Sequence, residues 1–449
     1  MTVFRRRRSL FSMTGTRFFG ADEWKTAGLA ACLAFVVFRA TLAPTVTLEH
    51  SGALVVAADH LGVGRVPGYP VWTLLAKGFI CLFPFAEYHG HPNPAWAVNW
   101  MSAFFGALAC GLLAALACRL ARAAGAAGAL GAVSGLAAGL LFACSPVFWS
   151  QAVVAETHTL TNFYFLALLA LSLRWVDAAD RKSPYLLAFL AGLGLAVSPL
   201  LILFLPVLLL AAALTSLKDF ARVTVAVLLF CGFLLVEFKW GSLRPAIGVG
   251  VLGGALAGAG LLAVARTTRP VAGLLLLLLA GLLPYVYLPL AAARHPPMNW
   301  GQACTWEGFW HVVSRGQYEA LVPLDPFAQP KLFFRDLAWY GRLLAAQFAA
   351  PLAALALVPV LALRRLDRRA QAALLLVFGA WFCFAVVVVV GANPQVDVQN
   401  TWVARPLFLP SFALVALLIG VGWAILWNGI AGRARQCRGA GTGAGNPAP

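Results

Sequence analysis

Residues 96–122 read WAVNWMSAFFGALACGLLAALACRLAR, 23 positions without a charge and then Arg119 and Arg122. Crossing the roughly 30 Å hydrocarbon core of a bilayer takes about 20 apolar residues in a helix, and Lys and Arg collect where such a run meets the cytoplasm. Comparable apolar runs recur from residue 26 to residue 428. Hydrophobic residues make up 61% of the 449 positions and charged ones 11%, so no soluble domain of ordinary size fits between the runs. The fold class read from this is an all-α polytopic membrane protein.

A formal charge of +17 would suit a nucleic-acid binder, but the basic residues come in short clusters between apolar runs. The charge is topology, and no nucleic-acid partner is expected. Nine cysteines form no CxxC pair and mostly lie inside apolar runs, which indicates neither a disulfide framework nor a zinc site. With Arg5, Arg6, Arg7 and Arg8 placed in the cytoplasm, spans are expected near 26–43, 96–118, 128–144, 159–175, 185–198, 200–216, 221–238, 246–265, 270–290, 341–363, 371–391 and 407–428. The run 71–86 is short and carries Lys77 and Pro84, so it is expected to lie on the outer surface as an interfacial helix. This threading puts 22 of the 33 Lys and Arg on the cytoplasmic side and leaves 11 elsewhere. It divides the chain into a basic cytoplasmic N-terminus (1–25), a transmembrane domain of about 12 helices (26–428) and a disordered cytoplasmic tail (429–449). The expected setting is a bacterial inner (plasma) membrane, with both termini cytoplasmic.

Four segments then face outward: 44–95, 145–158, 291–340 and 392–406. They contain all seven histidines and nine of the sixteen carboxylates. Any loop is polar, so a lone carboxylate there says little, but the exclusive placement of histidine points to a chemically active outer face. Tryptophans gather in the same layer. An aromatic belt at headgroup depth accounts for most of them, and stacking on sugar rings is the functional alternative. Trp306 and Trp310, four apart, would share a helix face.

Four blocks carry a family resemblance: APTVTLEHSGALVVAADHLGVGRVPGYPVWTLL (43–75), SPVFWSQAVVAETHTL (145–160), YLPLAAARHPPMNWGQACTWEGFWHVVSRGQY (287–318) and NPQVDVQNTWVARPLFLPSF (393–412). In this order they resemble the blocks of the DUF2723 family, membrane proteins related to the TMEM260 protein O-mannosyltransferases. That resemblance implies a GT-C-like bundle with a large first outer loop. It also implies an enzyme that moves a sugar, mannose or another hexose, from a polyprenyl-phosphate carrier to a protein or glycan acceptor on the outer side, among membrane lipids. In such enzymes an acid in the first outer loop takes the acceptor's proton. A hydroxyl is a poor nucleophile until a positioned base does so, and the departing phosphate needs cations or N–H donors.

The pattern departs where it matters most. Against the family's T-V-T-x-x-D-S-G-E, His50 stands for the aspartate and Ala53 for the glutamate, and Arg65 replaces the histidine before PGYP. A His-rich stretch of the family reads Ala196-Val197-Ser198-Pro199 here. Glu49, Asp59 or His50 itself remain as candidate bases. Arg405, Arg65 and Arg294 are candidate phosphate clamps, because guanidinium offers paired donors, although outward arginines also meet lipid headgroups. Tyr69, Glu156, His158, Asn299, Trp300, Asp397 and Asn400 are candidate substrate contacts. Helix capping is the plainer role for Glu156 and Asp397, and loop shaping for Asn299 and Trp300. No metal ligand set is identified and no cofactor is required, though a divalent metal is compatible with the scattered carboxylates. The rival readings are a family member that has lost catalysis and a protein that binds or transports a lipid-linked substrate. No charge near the middle of a span and no internal repeat favours a transporter.

Overall fold

The computed structural model describes residues 18–47, 50–237, 268–318, 323–393 and 398–442. The chain is mostly helical, and its only named strands among the described residues form a hairpin, β1 (Glu87–Tyr88) and β2 (His91–Pro92), with Tyr88 opposite His91. The helices that position the site are α1 (Ala21–Ala40), α2 (Ser51–Asp59), α3 (Pro70–Leu82), α4 (Pro94–Ala123), α5 (Ala129–Ala143), α6 (Pro146–Ala152), α7 (His158–Ala178), α8 (Ser183–Val197), α9 (Leu205–Thr215) and α10 (Leu217–Glu237). Beyond residue 267 follow α11 (Thr268–Gly281), α12 (Tyr287–Ala292), α13 (Trp306–Val313), α14 (Pro330–Phe348), α15 (Ala350–Arg365), α16 (Arg368–Ala392, with a π turn at Cys383–Val387), α17 (Val398–Ala404) and α18 (Leu409–Thr442).

The decisive stretch forms α4, the hub of the bundle. Pro94 sits in its first turn, where the missing N–H costs nothing, and Asn93 caps it by accepting from the Trp96 N–H at 3.4 Å. Twenty of its thirty residues are buried, and it packs against α1, α3, α5, α7 and α18. Small residues make this possible, as bundles in lipid require close backbone approach. A Cβ on Gly135 of α5 would stand 2.4 Å from the Ala114 carbonyl oxygen of α4.

Five described helices are long and apolar enough to cross a membrane, or up to seven if each sharply bent pair is one span. This makes the chain a multi-pass membrane protein, and several expected spans are built differently. The expected span 341–363 is not straight: α14 already starts at Pro330, inside the expected loop 291–340, and α15 leaves it at 107°. Ala349 at the joint has φ +55°, which no helix accommodates, and Pro351 follows. The expected loop 145–158 holds α6, bent 71° from α5 at Ser145-Pro146. In α8 there are 15 residues, a rise of about 22 Å and short of a full crossing. The α3 segment has 13. The tail expected to be irregular from 429 begins as helix, since α18 continues to Thr442. The expected span 246–265 lies outside the described residues.

Candidate active site

The first loop leaves α1 and is pinned at once. The Ala43 N–H donates to the Val153 carbonyl (3.0 Å), and Thr41 accepts from the Trp149 indole (2.9 Å). The Asn99 amide donates to the carbonyls of Ala43 (2.9 Å) and Thr45 (3.2 Å), and that of Asn93 to Pro44 (2.7 Å). Two asparagines of the α4 entrance therefore fix the backbone at Ala43, Pro44 and Thr45, where the Thr45-Val46-Thr47 motif begins. The sequence reading missed both, although the Asn-Pro pair at 93–94 is a legible helix start.

That clamp presents His50, the residue in the family's aspartate position, at the start of α2. Its Nε2 meets the Arg65 guanidinium. Arginine only donates, so Nε2 acts as acceptor and the imidazole carries its proton on Nδ1. His158, at the start of α7, lies within electrostatic reach of the same ring. Two residues earlier Glu156 is buried, and its backbone is held by the Trp72 indole (3.2 Å) and by Ser102 (3.4 Å). Thus α3 and α4 position the segment that carries Glu156 and His158.

Arg65 owes its place to a second clamp. Val63 and Asn299 form an isolated parallel bridge: the Val63 N–H donates to the Met298 carbonyl (2.9 Å) and the Trp300 N–H to the Val63 carbonyl (3.0 Å). The Tyr287 hydroxyl adds a bond to the Gly62 carbonyl (2.8 Å). Gly62 has to be glycine, because a Cβ there would lie 2.3 Å from the Met298 oxygen. The Asn299 amide N–H donates to Ala292 (3.2 Å), and its buried Oδ1 has no partner. In the PGYP turn, Gly68 takes φ +87° against Leu288, and Tyr69 lies within electrostatic reach of Tyr285.

Other candidates fall elsewhere. Asp59 ends α2, about 13 Å of helix from His50, and pairs with Lys77 of α3 at 3.1 Å. Arg405 lies over the Trp402 ring, 4.5 Å from its centre, and the turn it opens packs on α6. Arg294 is exposed on the short connection after α12, and Asn400 is exposed on α17. Trp300 donates to Gln317 (3.0 Å), and Trp306 and Trp310 meet edge to face at 5.5 Å. Glu49 and Asp397 lie outside the described residues. No group of three or more potential metal ligands occurs among the described residues. One carboxylate was counted only as a loop acid: Asp336 of α14 is fully buried, with Oδ1 on Arg335 (2.8 Å) and Oδ2 without a partner.

Residues 50–220 match the family model described as the protein O-mannosyl-transferase TMEM260 N-terminal domain. The family resemblance read from the sequence is borne out. Over 425 residues the chain is 27% identical to the mouse (Mus musculus) protein O-mannosyl-transferase TMEM260, covering 91% of this chain and 51% of that protein. The Dictyostelium discoideum protein O-mannosyl-transferase tmem260 is 24% identical over 173 residues, 36% of this chain and 20% of the relative. The chain thus spans about half the length of the mouse relative it matches. Among solved structures, the Archaeoglobus fulgidus oligosaccharyltransferase in complex with Zn and sulfate aligns with 91% of this chain and 50% of its own, at 14% identity and a TM-score of 0.42. A likeness of that degree carries no argument. The TMEM260 match includes His50, Arg65, Glu156 and His158, and the third and fourth blocks lie beyond the residues it covers.

Proposed function

We propose that the chain is a membrane glycosyltransferase of GT-C type that takes a hexose such as mannose from a polyprenyl-phosphate and passes it to a protein or glycan hydroxyl on the outer side of the membrane. The observation that carries this reading is the cluster of His50, Arg65 and His158, assembled from the blocks that resemble the TMEM260 family. In the reaction the acceptor oxygen bonds to the sugar C1 while the bond from C1 to the phosphate oxygen breaks. The acceptor proton goes to a base, and the electron pair leaves with polyprenyl phosphate.

His50 is our choice for the base, with Glu49 beside it as the alternative. Asp59 is engaged by Lys77 and fits a positioning role better. Arg65 is a cation that a phosphate can draw away from the imidazole. While it donates to Nε2 the ring has no lone pair for a proton; once it turns to the donor phosphate, Nε2 becomes a base next to the bond that breaks. Arg405, seated on Trp402, and Arg294 are further donors for that phosphate.

The test is sugar transfer by the purified full chain in lipid nanodiscs, with labelled polyprenyl-phosphate mannose or glucose and an acceptor extract. Arg65→Ala should weaken donor binding and Glu49→Gln should spare turnover. Donor binding without transfer would favour the member that has lost catalysis, consistent with His50 and Ala53; absence of both refutes the proposal. Labelling of a single cysteine at position 60 from the outer side alone would support the orientation with both termini cytoplasmic.

A further inference from the structure

The end of the bundle opposite the His50 cluster holds a cavity of about 2170 Å³. It opens where the last turns of α4, α7 and α9 diverge from the first turns of α10, α11 and α16. Drug-sized ligands occupy roughly 300–1,000 Å³, so this space has room for a ligand larger than a free anion or a nucleotide. Its inner wall is apolar, with Leu116, Leu173, Leu274 and Leu375 among the lining residues, and its rim is charged.

Five carboxylates and seven Lys and Arg line it. Every carboxylate is already engaged. Asp177 pairs with Arg119, and Glu23 with Arg122 at 3.0 Å. Asp219 takes Arg222 at 3.2 Å and Ser216 at 2.7 Å. Asp180 accepts from Ser183 and from the main-chain N–H groups of Lys182 and Ser183, and Asp367 caps α16 through the Ala370 N–H. Arg181, Lys218 and Arg368, all exposed, have no ion pair among the described residues. Arg222 adds a buried Nε–H without an acceptor. A cationic rim with an unanswered guanidinium donor, set over apolar walls between membrane helices, matches a phosphate that bears hydrocarbon chains.

We infer that this cavity is a binding site for an anionic phospholipid, its phosphate held by Arg181, Lys218, Arg222 and Arg368 and its acyl chains lying on the leucine wall. The site is separate from the sugar-transfer reading and does not depend on it.

Native mass spectrometry of the full chain, released from micelles doped with phosphatidylglycerol or phosphatidylcholine, tests it. One phosphatidylglycerol per chain should persist where phosphatidylcholine does not. Arg181→Ala/Lys218→Ala/Arg368→Ala should weaken it by roughly fivefold per cation, about a hundredfold together. Lys331→Ala/Arg342→Ala, on α14, should leave it unchanged, and Arg181→Lys/Arg368→Lys should keep most of it. Thermal protection by inorganic phosphate in place of lipid would identify a free-anion site and overturn the inference. Equal lipid retention by the triple alanine variant and the wild type would do the same.

Discussion

The two ends of the bundle are held together by different chemistry. Where α1 begins, charge meets charge: Arg119 reaches Asp177 and the Phe18 carbonyl, and Arg122 reaches Asp22 (2.7 Å) and Glu23 (3.0 Å). At the His50 end, amides, indoles and hydroxyls bind backbone carbonyls, and loops from distant parts of the chain touch backbone to backbone. Ion pairs of long side chains tolerate small displacements. Backbone bridges and glycine contacts do not, so the second end can hold reacting groups to the fraction of an ångström that catalysis asks for.

The largest expected effect separates the ends by activity. His50→Ala should lower transfer by about 10² to 10⁴ with expression intact, as expected for loss of a general base. Asp59→Asn should cost less than about fivefold, the range of a partly exposed ion pair. Should Glu49→Gln, measured in the same assay, abolish transfer while His50→Ala keeps it, the base is the neighbour and not the histidine.

Next comes the backbone bridge. Gly62→Ala drives a Cβ against the Met298 oxygen and should destabilise by about 1–3 kcal/mol in thermal melts in detergent. Gly78→Ala on α3, where a Cβ meets nothing within 4 Å, should be neutral or stabilising by up to ~1 kcal/mol. A melt unchanged by the first substitution would show that the two loops are not rigidly joined.

At the charged end, Arg122→Gln strips a partner from Glu23, whose side chain is only 7% exposed. Since Arg122 itself is about a third exposed, the loss should be about 1–2 kcal/mol, between that of a surface pair and a buried one, with transfer unaffected. Transfer falling in step with stability would instead tie the ends together.

The smallest effect is a pH response. Burial pushes the Asp180 carboxyl up, but the Ser183 hydroxyl and the N–H groups of Ser183 and Lys182 outweigh it and hold it below the ordinary 3.8. A carboxylate depressed in the fold stabilises above its unfolded value, and that contribution fades as pH falls through the folded one. Protection from hydrogen exchange at the start of α8, measured against the intrinsic amide rate at each pH, should therefore fall below about pH 3.8 in the wild type, and Asp180→Asn should remove that fall.

How much of this could be read beforehand follows the same division. The hub helix was legible because 23 uncharged residues closed by Arg119 and Arg122 allow one outcome. Where α14 turns into α15 no charge marks the break, which rests on the backbone angle at Ala349 and on Pro351, a signal the run of apolar residues masked. The site was legible as blocks, not as contacts. His50 and Arg65 were both named, but their pairing depends on Val63 finding Asn299, and hydropathy does not encode pairing between loops. Asp336 stayed hidden because an acid in an amphipathic helix looks solvated until the far side is packed.

The bridge between Val63 and Asn299 also sets a timetable. Tyr287 and Gly62 lie 225 positions apart, so at about 5–20 residues per second the ribosome needs roughly 11–45 s after making the first loop to deliver its partner. Throughout that interval the loop that carries the arginine facing His50 lacks its bridging partner. The newborn chain is thus inserted long before its reactive corner is complete, and a ribosome-arrested product ending near 290 should still label freely at position 63, where one ending near 345 should resist.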